Sequence, residues 1–210
     1  MDNKNYTVNT IISDFGNSII KIIGDANIVF FTFCSMNFPK KNAITWLGKK
    51  YYDNNTVNLS NLQPSVFIVD HSFDATDIKN KAFIVAEKPK LLFINILKKY
   101  FEKKYKYNIH PTAVISDEAI IEDNVYIGPN CIIGNCTIKS GTTLDGNNFI
   151  YDNVLIGKNV SIQAGAVIGS QGMSFASDAD KNLIGFPSLG RVIIEDNVAI
   201  GSNAVIDCAV

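Results

Sequence analysis

The chain has 210 residues, 47% of them apolar and 19% charged, with a formal net charge of −1. That balance fits one or two globular domains and gives no basic excess of the kind that marks nucleic acid or anionic lipid as a main partner. No apolar run reaches the length of a membrane span, and the opening MDNKNYTVNTIISD lacks the charged-then-apolar pattern of a signal peptide, so a cytoplasmic location is expected.

The first hundred residues carry no repeat. A helix is expected around Thr10–Ile23, ended by Gly24-Asp25. Apolar runs follow at Ile28–Phe33, Ala43–Leu47, Val66–Val69 and Ala82–Val85, of which the first and third read as buried strands. Trp46 is the chain's one Trp, and Tyr51 and Tyr52 follow closely; at this spacing aromatics either pack in a core or flank a flat ring. Pro89 suits a helix start, and Lys90–Lys104 has helical spacing with Leu92 and Ile96 on one face. The string KKYFEKKYKY reads as a solvated basic face with its Tyr and Phe turned inward, or else as a docking segment for an acidic partner.

From Ile109 onward a period of six appears: Ile109, Ile115, Ile121, Ile127 and Ile133, then after a one-residue slip Ile138, Leu144, Ile150, Ile156, Ile162 and Ile168, and finally Ile194, Ile200 and Ile206. The fourth place of the unit is usually Asn or Gly, from Asn124 and Asn130 to Asn197 and Asn203, the residue types that enter left-handed backbone most cheaply. The fifth is small or β-branched, as in Val125, Cys131, Thr137, Thr142 and Val160. Neither a helix nor a plain strand explains a six-residue unit with a fixed turn residue, whereas short strands wound into stacked coils do. Each buried Ile adds roughly 1.5–3 kcal/mol. The segment from about 170 to 193 breaks the repeat and reads as a loop thrown out from a rigid scaffold.

Cys34, Cys131, Cys136 and Cys208 form no CxxC pair, and His71 and His110 lie far apart, so reduced thiols and no metal site are expected.

The order of parts resembles the UDP-3-O-acylglucosamine N-acyltransferases of lipid A biosynthesis. The stretches that carry the likeness are IIGDANIVFFTFCSMNFPKKNAITWLGKKYY, AFIVAEKPKLLFINILKKYF and IHPTAVI, and above all GAVIGSQGMSFA followed by GFPSLGRVIIEDNVAIGSNAVID. The resemblance implies a mixed fold: a small α/β uridine-binding domain over residues 1–106, then a left-handed parallel β-helix of hexapeptide repeats over 107–210. It implies a homotrimer in which each cleft lies between subunits. Uridine would stack between Trp46 and Tyr52, with Lys49 where the family often has Asn. Gln171, Gly172, Met173 and Phe175 would form the loop near the acyl chain and sugar, with Gln171 and Met173 replacing the family's usual Asp and Phe.

The implied reaction moves an acyl group from the phosphopantetheine thioester of acyl carrier protein to the amine of a UDP-amino sugar, with no bound cofactor. The attacking amine needs a base, normally His. In the family that His lies on a coil beyond the matching segment, so no catalytic residue is assigned here and a truncated chain is expected. Two alternatives accompany this reading: an acetyl-CoA-dependent acyltransferase on another nucleotide amino sugar, and a non-catalytic UDP-sugar-binding remnant.

Overall fold

The computed structural model describes residues 4–51, 62–74, 79–102 and 105–208. The chain divides into two compact units, Met1–Lys103 and Lys104–Val210.

In the first unit a five-stranded sheet runs in the order Lys21–Gly24, Ala82–Val85, Val66–Val69, Ala43–Trp46, Thr32–Phe33. The first of these strands is antiparallel to its neighbour, and all other pairs are parallel. Val66–Val69 and Ala82–Val85 are buried at every position, as the two-faced cover of a parallel sheet requires. Helix α1 (Val8–Phe15) begins at a capping box formed by Thr7 and Thr10. Helix α2 (Pro89–Tyr100) starts with Pro at its first turn and buries Leu92, Phe93 and Ile96.

Two expectations need correcting here. The first helix ends at Phe15 and gives way to a 3₁₀ turn, Gly16–Ser18, so that Lys21–Gly24 is an edge strand and not the helix C-terminus. The Ile28–Phe33 run is not one buried strand. It splits into Val29–Phe30, paired with Tyr6–Thr7, and Thr32–Phe33 at the sheet edge. Only Phe30 of its aromatics is buried, while Phe31 and Phe33 are 45% and 42% exposed. An edge strand has one covered face, so alternate side chains meet water.

Of the basic aromatic string, Tyr100 and Phe101 turn inward onto the core of the first unit, whereas Tyr107 is 54% exposed. Tyr100 stacks on Tyr6 at 4.6 Å between centroids and donates its hydroxyl to Asp14, while Lys99 pairs with Asp14 at 2.7 Å.

The second unit is a three-sided coil. Its short parallel strands form three stacked sheets, and a strand pairs with one 18 residues on, as Ile138 does with Ile156. Where the slip intervenes the offset is 17, as between Ile133 and Ile150. This architecture fits a left-handed parallel β-helix. The Ile ladder lies inside from Ile127 to Ile168 with at most 2% exposure, whereas the first rung, Ile109, is 47% exposed.

The turn residues behave as their chemistry predicts: Asn124, Asn130, Asn147, Asn153, Asn159, Asn197 and Asn203 all have φ between 51° and 61°, and Gly141 and Gly165 have 77° and 78°. At the slip the fifth place belongs to Cys136, which is buried, and not to Thr137, which is half-buried in the following strand.

Candidate functional site

Three parallel strands of the first unit end at Trp46, Val69 and Val85. In open α/β sheets, ligands bind beyond such carboxyl ends. Trp46 is half-buried and packs at the margin of the core that contains Ile44, Ile68 and Ile84. Residue 48 is Gly for a local reason: a Cβ there would stand 3.1 Å from the Trp46 ring. A 3₁₀ turn, Lys49–Tyr51, follows directly, with Lys49 exposed and the Lys50 ammonium 4.9 Å over the Tyr51 ring. Trp46 and Lys49 therefore share one end of the sheet. Tyr52 lies outside the described residues.

Sequence reading missed Asp70, which follows the neighbouring strand and whose carboxylate accepts from the Ser72 amide at 2.8 Å and the Ser72 hydroxyl at 2.6 Å. Its position just after a fully apolar four-residue strand was the available signal. A cavity of about 300 Å³ in this unit is lined by Asn17, Ser18, Glu87, Lys88 and Asn95 among others, and by none of the residues nominated from sequence.

In the second unit, the break in the repeat is more ordered than a loop. Gln171 still belongs to the coil: the strand Val167–Gln171 pairs with Val205–Cys208 across an irregularity after Ile168, where Gly169 has φ 88°. The chain then leaves the coil as an antiparallel hairpin, Phe175–Ser177 with Leu183–Gly185. Its turn is held by the Asp178 carboxylate, which accepts from the Asn182 side-chain amide at 3.1 Å and from the backbone amides of Asn182 and Asp180 at 2.9 Å each; these bonds, the side-chain one first, hold the Asp178 carboxyl below its usual range. Val192 resumes the coil.

Of the nominated loop residues, the Gly172 amide donates to the Ser188 hydroxyl at 3.1 Å. Met173 and Phe175 are 86% and 55% exposed. Leu183, Ile184, Phe186 and Leu189 are exposed as well, so the hairpin presents an apolar surface.

Beside the return of the hairpin lies a groove of about 650 Å³, whose lining includes Asn135, Thr137, Asn153, Leu155, Leu189 and Arg191. Cys136 also borders it but is a poor nucleophile. Burial pushes its thiol up to about 11, and the Asp152 carboxylate acts in the same direction.

Neither histidine is arranged as a base beside these features. The His110 ring nitrogen Nδ1 lies 3.0 Å from the Thr112 hydroxyl and accepts from the Thr112 amide at 3.3 Å, a local turn at the start of the coil. His71 is exposed in the turn after Val66–Val69.

Residues 135–170 match the bacterial transferase hexapeptide (six repeats) family. Residues 118–145 and 191–210 match the hexapeptide repeat of succinyl-transferase. The chain is 42% identical over 62 residues to the UDP-3-O-acylglucosamine N-acyltransferase of Caulobacter vibrioides (strain NA1000 / CB15N), which is 30% of this chain and 18% of that protein. Proteins of the same name from Methylococcus capsulatus and Coxiella burnetii (strain Dugway 5J108-111) are also similar. The first is 48% identical over 54 residues, 26% of this chain and 15% of its own length. The second is 40% identical over 72 residues, 34% and 19%. The matched stretches thus span less than a fifth of each of these three relatives. A crystal structure of UDP-N-acetylglucosamine acyltransferase aligns with 48% of this chain and 36% of its own, at 28% identity and a TM-score of 0.41.

Proposed function

We propose that this chain is the nucleotide-sugar-binding and coil-forming part of an N-acyltransferase that moves an acyl group from acyl carrier protein to the amine of a UDP-amino sugar in lipid A synthesis. The observation that carries the reading is the 40–48% identity to proteins of one name, UDP-3-O-acylglucosamine N-acyltransferase, in a chain whose hexapeptide coil is interrupted by a single ordered hairpin. An acyltransferase needs an acyl donor, and acyl carrier protein is the donor we assign. Both substrates are cytoplasmic in this scheme. His71 and His110 have no role in it as base.

Uridine binding is assigned to Trp46 and Lys49, and to Tyr52 on the sequence resemblance alone. The position of Trp46 at the carboxyl end of a parallel strand, half-buried and with one neighbour reduced to Gly, supports a ring available for stacking. Stacking of a base on an aromatic ring contributes about 1–3 kcal/mol. Trp46→Ala is therefore expected to weaken UDP-sugar binding, measured by calorimetry, by roughly 5- to 150-fold. Unchanged affinity in a folded variant would sink the uridine assignment.

A homotrimer is proposed from the family resemblance, and the surface chemistry of the coil supports association. Two of its three faces carry apolar side chains outward: Val114, Ile132 and Val205 on one, Ile120 and Ile193 on another, all 42–65% exposed. Apolar surface on this scale, together with the apolar hairpin, marks an association site. The mass by light scattering is expected to be three times 23.1 kDa; a monomer would count against it.

A further inference from the structure

We infer that the outer face of helix α2, with the cavity beside its first turn, docks an acidic segment of a partner protein. One apolar side chain of that segment enters the cavity, and its carboxylates meet the lysines of the helix. The inference concerns the first unit only and does not depend on the acyl-transfer reading.

The first ground is charge. Helix α2 and the residue before it, KPKLLFINILKKY, carry Lys88, Lys90, Lys98 and Lys99 and no carboxylate. Lys99 is paired with Asp14. Lys88, Lys90 and Lys98 are exposed, and among the described residues none of the three has an ion-pair or hydrogen-bond partner. A helix that meets only water gains from acids placed four residues from its lysines; this one has none. Glu87 is the one carboxylate on the cavity, so positive charge prevails and matches a negative partner.

The second ground is the apolar surface set among those lysines. Helix α2 buries Leu92, Phe93 and Ile96 on one side, yet Leu91 and Ile94 are 50% and 38% exposed. Lys90, Ile94 and Lys98 fall four apart and share a face. Ile20, which borders the same cavity as Leu91, is 53% exposed.

The third ground is the cavity itself. Its volume of about 300 Å³ lies at the lower limit of ligand sites and suits one large side chain. Ile19, Ile20, Leu91 and Leu92 give it apolar walls, and the Asn17 and Asn95 amides, without partners among the described residues, can pair with the backbone of an incoming segment. Protein interfaces are anchored by a side chain seated in such a hollow. An anionic lipid surface has nothing to fill it and would face Glu87.

The test is selection of displayed random peptides, sixteen residues long, on the immobilised full chain, followed by fluorescence anisotropy of those enriched. The enriched peptides are expected to be acidic and to contain Leu, Phe or Met. The double change Lys90→Glu with Lys98→Glu is expected to weaken them about 10-fold or more, and Lys90→Arg with Lys98→Arg to keep most of the affinity. Leu91→Ser, on an exposed side chain, is expected to weaken them about 5-fold or more. Lys158→Glu, in the second unit, is expected to leave binding unchanged. Thermal unfolding of each variant checks that it folds. Enrichment of no acidic peptide, or equal binding by the folded Glu double variant, would overturn the inference. So would binding to anionic phospholipid vesicles that the double variant abolishes, which assigns the face to a membrane, or a changed mass of that variant in light scattering, which assigns it to a second copy of the chain.

Discussion

Side chains inside a tight coil have little room for error, and the few polar ones show how it is managed. Thr142 is fully buried, yet its hydroxyl donates to the Gly157 carbonyl at 2.8 Å and accepts from the Val160 amide at 3.1 Å. Asn148, 1% exposed, donates to the Gln163 carbonyl at 2.7 Å and accepts from the Gly146 amide at 3.1 Å. Such groups are tolerated because each is paired. Thr142→Val keeps the shape but leaves the Val160 amide and Gly157 carbonyl without these partners, so it is expected to cost about 1–3 kcal/mol in urea unfolding. A change of a few tenths would show that the core relaxes around the loss. At this scale the repeat was readable. An Asn every six residues states its backbone angle, because left-handed φ costs other L-residues about 1–2 kcal/mol. Thr137 was misassigned because the slip moved the turn by one place, which the spacing of Ile133 and Ile138 announced but could not apportion. Trp46 was the hardest residue, since half-burial at a strand end suits both packing and stacking.

Elements of the first unit were less legible than the coil, and the errors share a cause. Thr10–Ile23 was read as one helix because Ile19, Ile20, Ile22 and Ile23 continue an apolar pattern; the Gly16-Asn17-Ser18 turn breaks it, and the sheet's need for an edge partner decides the rest. The hairpin was invisible for a different reason: Phe175–Ser177 and Leu183–Gly185 are three residues each and carry no strong strand pattern. Helix α1 and helix α2 are joined by a small electrostatic cluster that has a pH signature. Hydrogen bonds from Lys99 and Tyr100 hold the Asp14 carboxyl below its ordinary 3.8. A depressed carboxyl stabilises the fold fully above its unfolded value and loses that contribution as pH falls through the folded one. Burial and the neighbouring Asp14 carboxylate push the Tyr100 phenol upward, so its contribution is present below about pH 10 and fades as pH rises past it. Asp14→Asn is expected to flatten the acid limb of a stability–pH curve below pH 4 and to move the alkaline limb. An acid limb identical to the parent chain would show that Asp14 is not a linked group.

Over the whole molecule, two units with cores of different construction follow one another in the sequence. The first packs two clusters around its mixed sheet, one with Ile44, Ile68 and Ile84 and one with Phe67, Phe73 and Phe83, and the second is a stack of Ile rungs. Their charges differ too: 13 Lys against 9 acidic residues precede Lys104, while acids outnumber cations after it. Separate cores unfold with separate free energies. Since Trp46 is the one Trp and lies in the first unit, its fluorescence reports that unit alone. Denaturant curves followed by Trp emission and by far-ultraviolet circular dichroism are expected not to coincide; superimposable curves would mean that the two units melt as one. The division at the onset of the six-residue period was the most legible feature of the sequence, because periodicity depends on no distant partner. Sheet order in the first unit depends wholly on distant partners and could not be read in the same way.

The slip between Ile133 and Ile138 has a consequence for how this coil can vary. Elsewhere a single added residue would turn the next two-residue strand over, exchanging its inward and outward side chains. At Gly134-Asn135-Cys136 the corner already runs one residue short, and the side chains of Glu118 and Asp152 tie down Asn135 in place of the usual left-handed bend. A one-residue insertion there restores the ordinary corner and keeps every later rung facing inward. This corner is thus where the lineage of the chain could gain a codon without losing the fold.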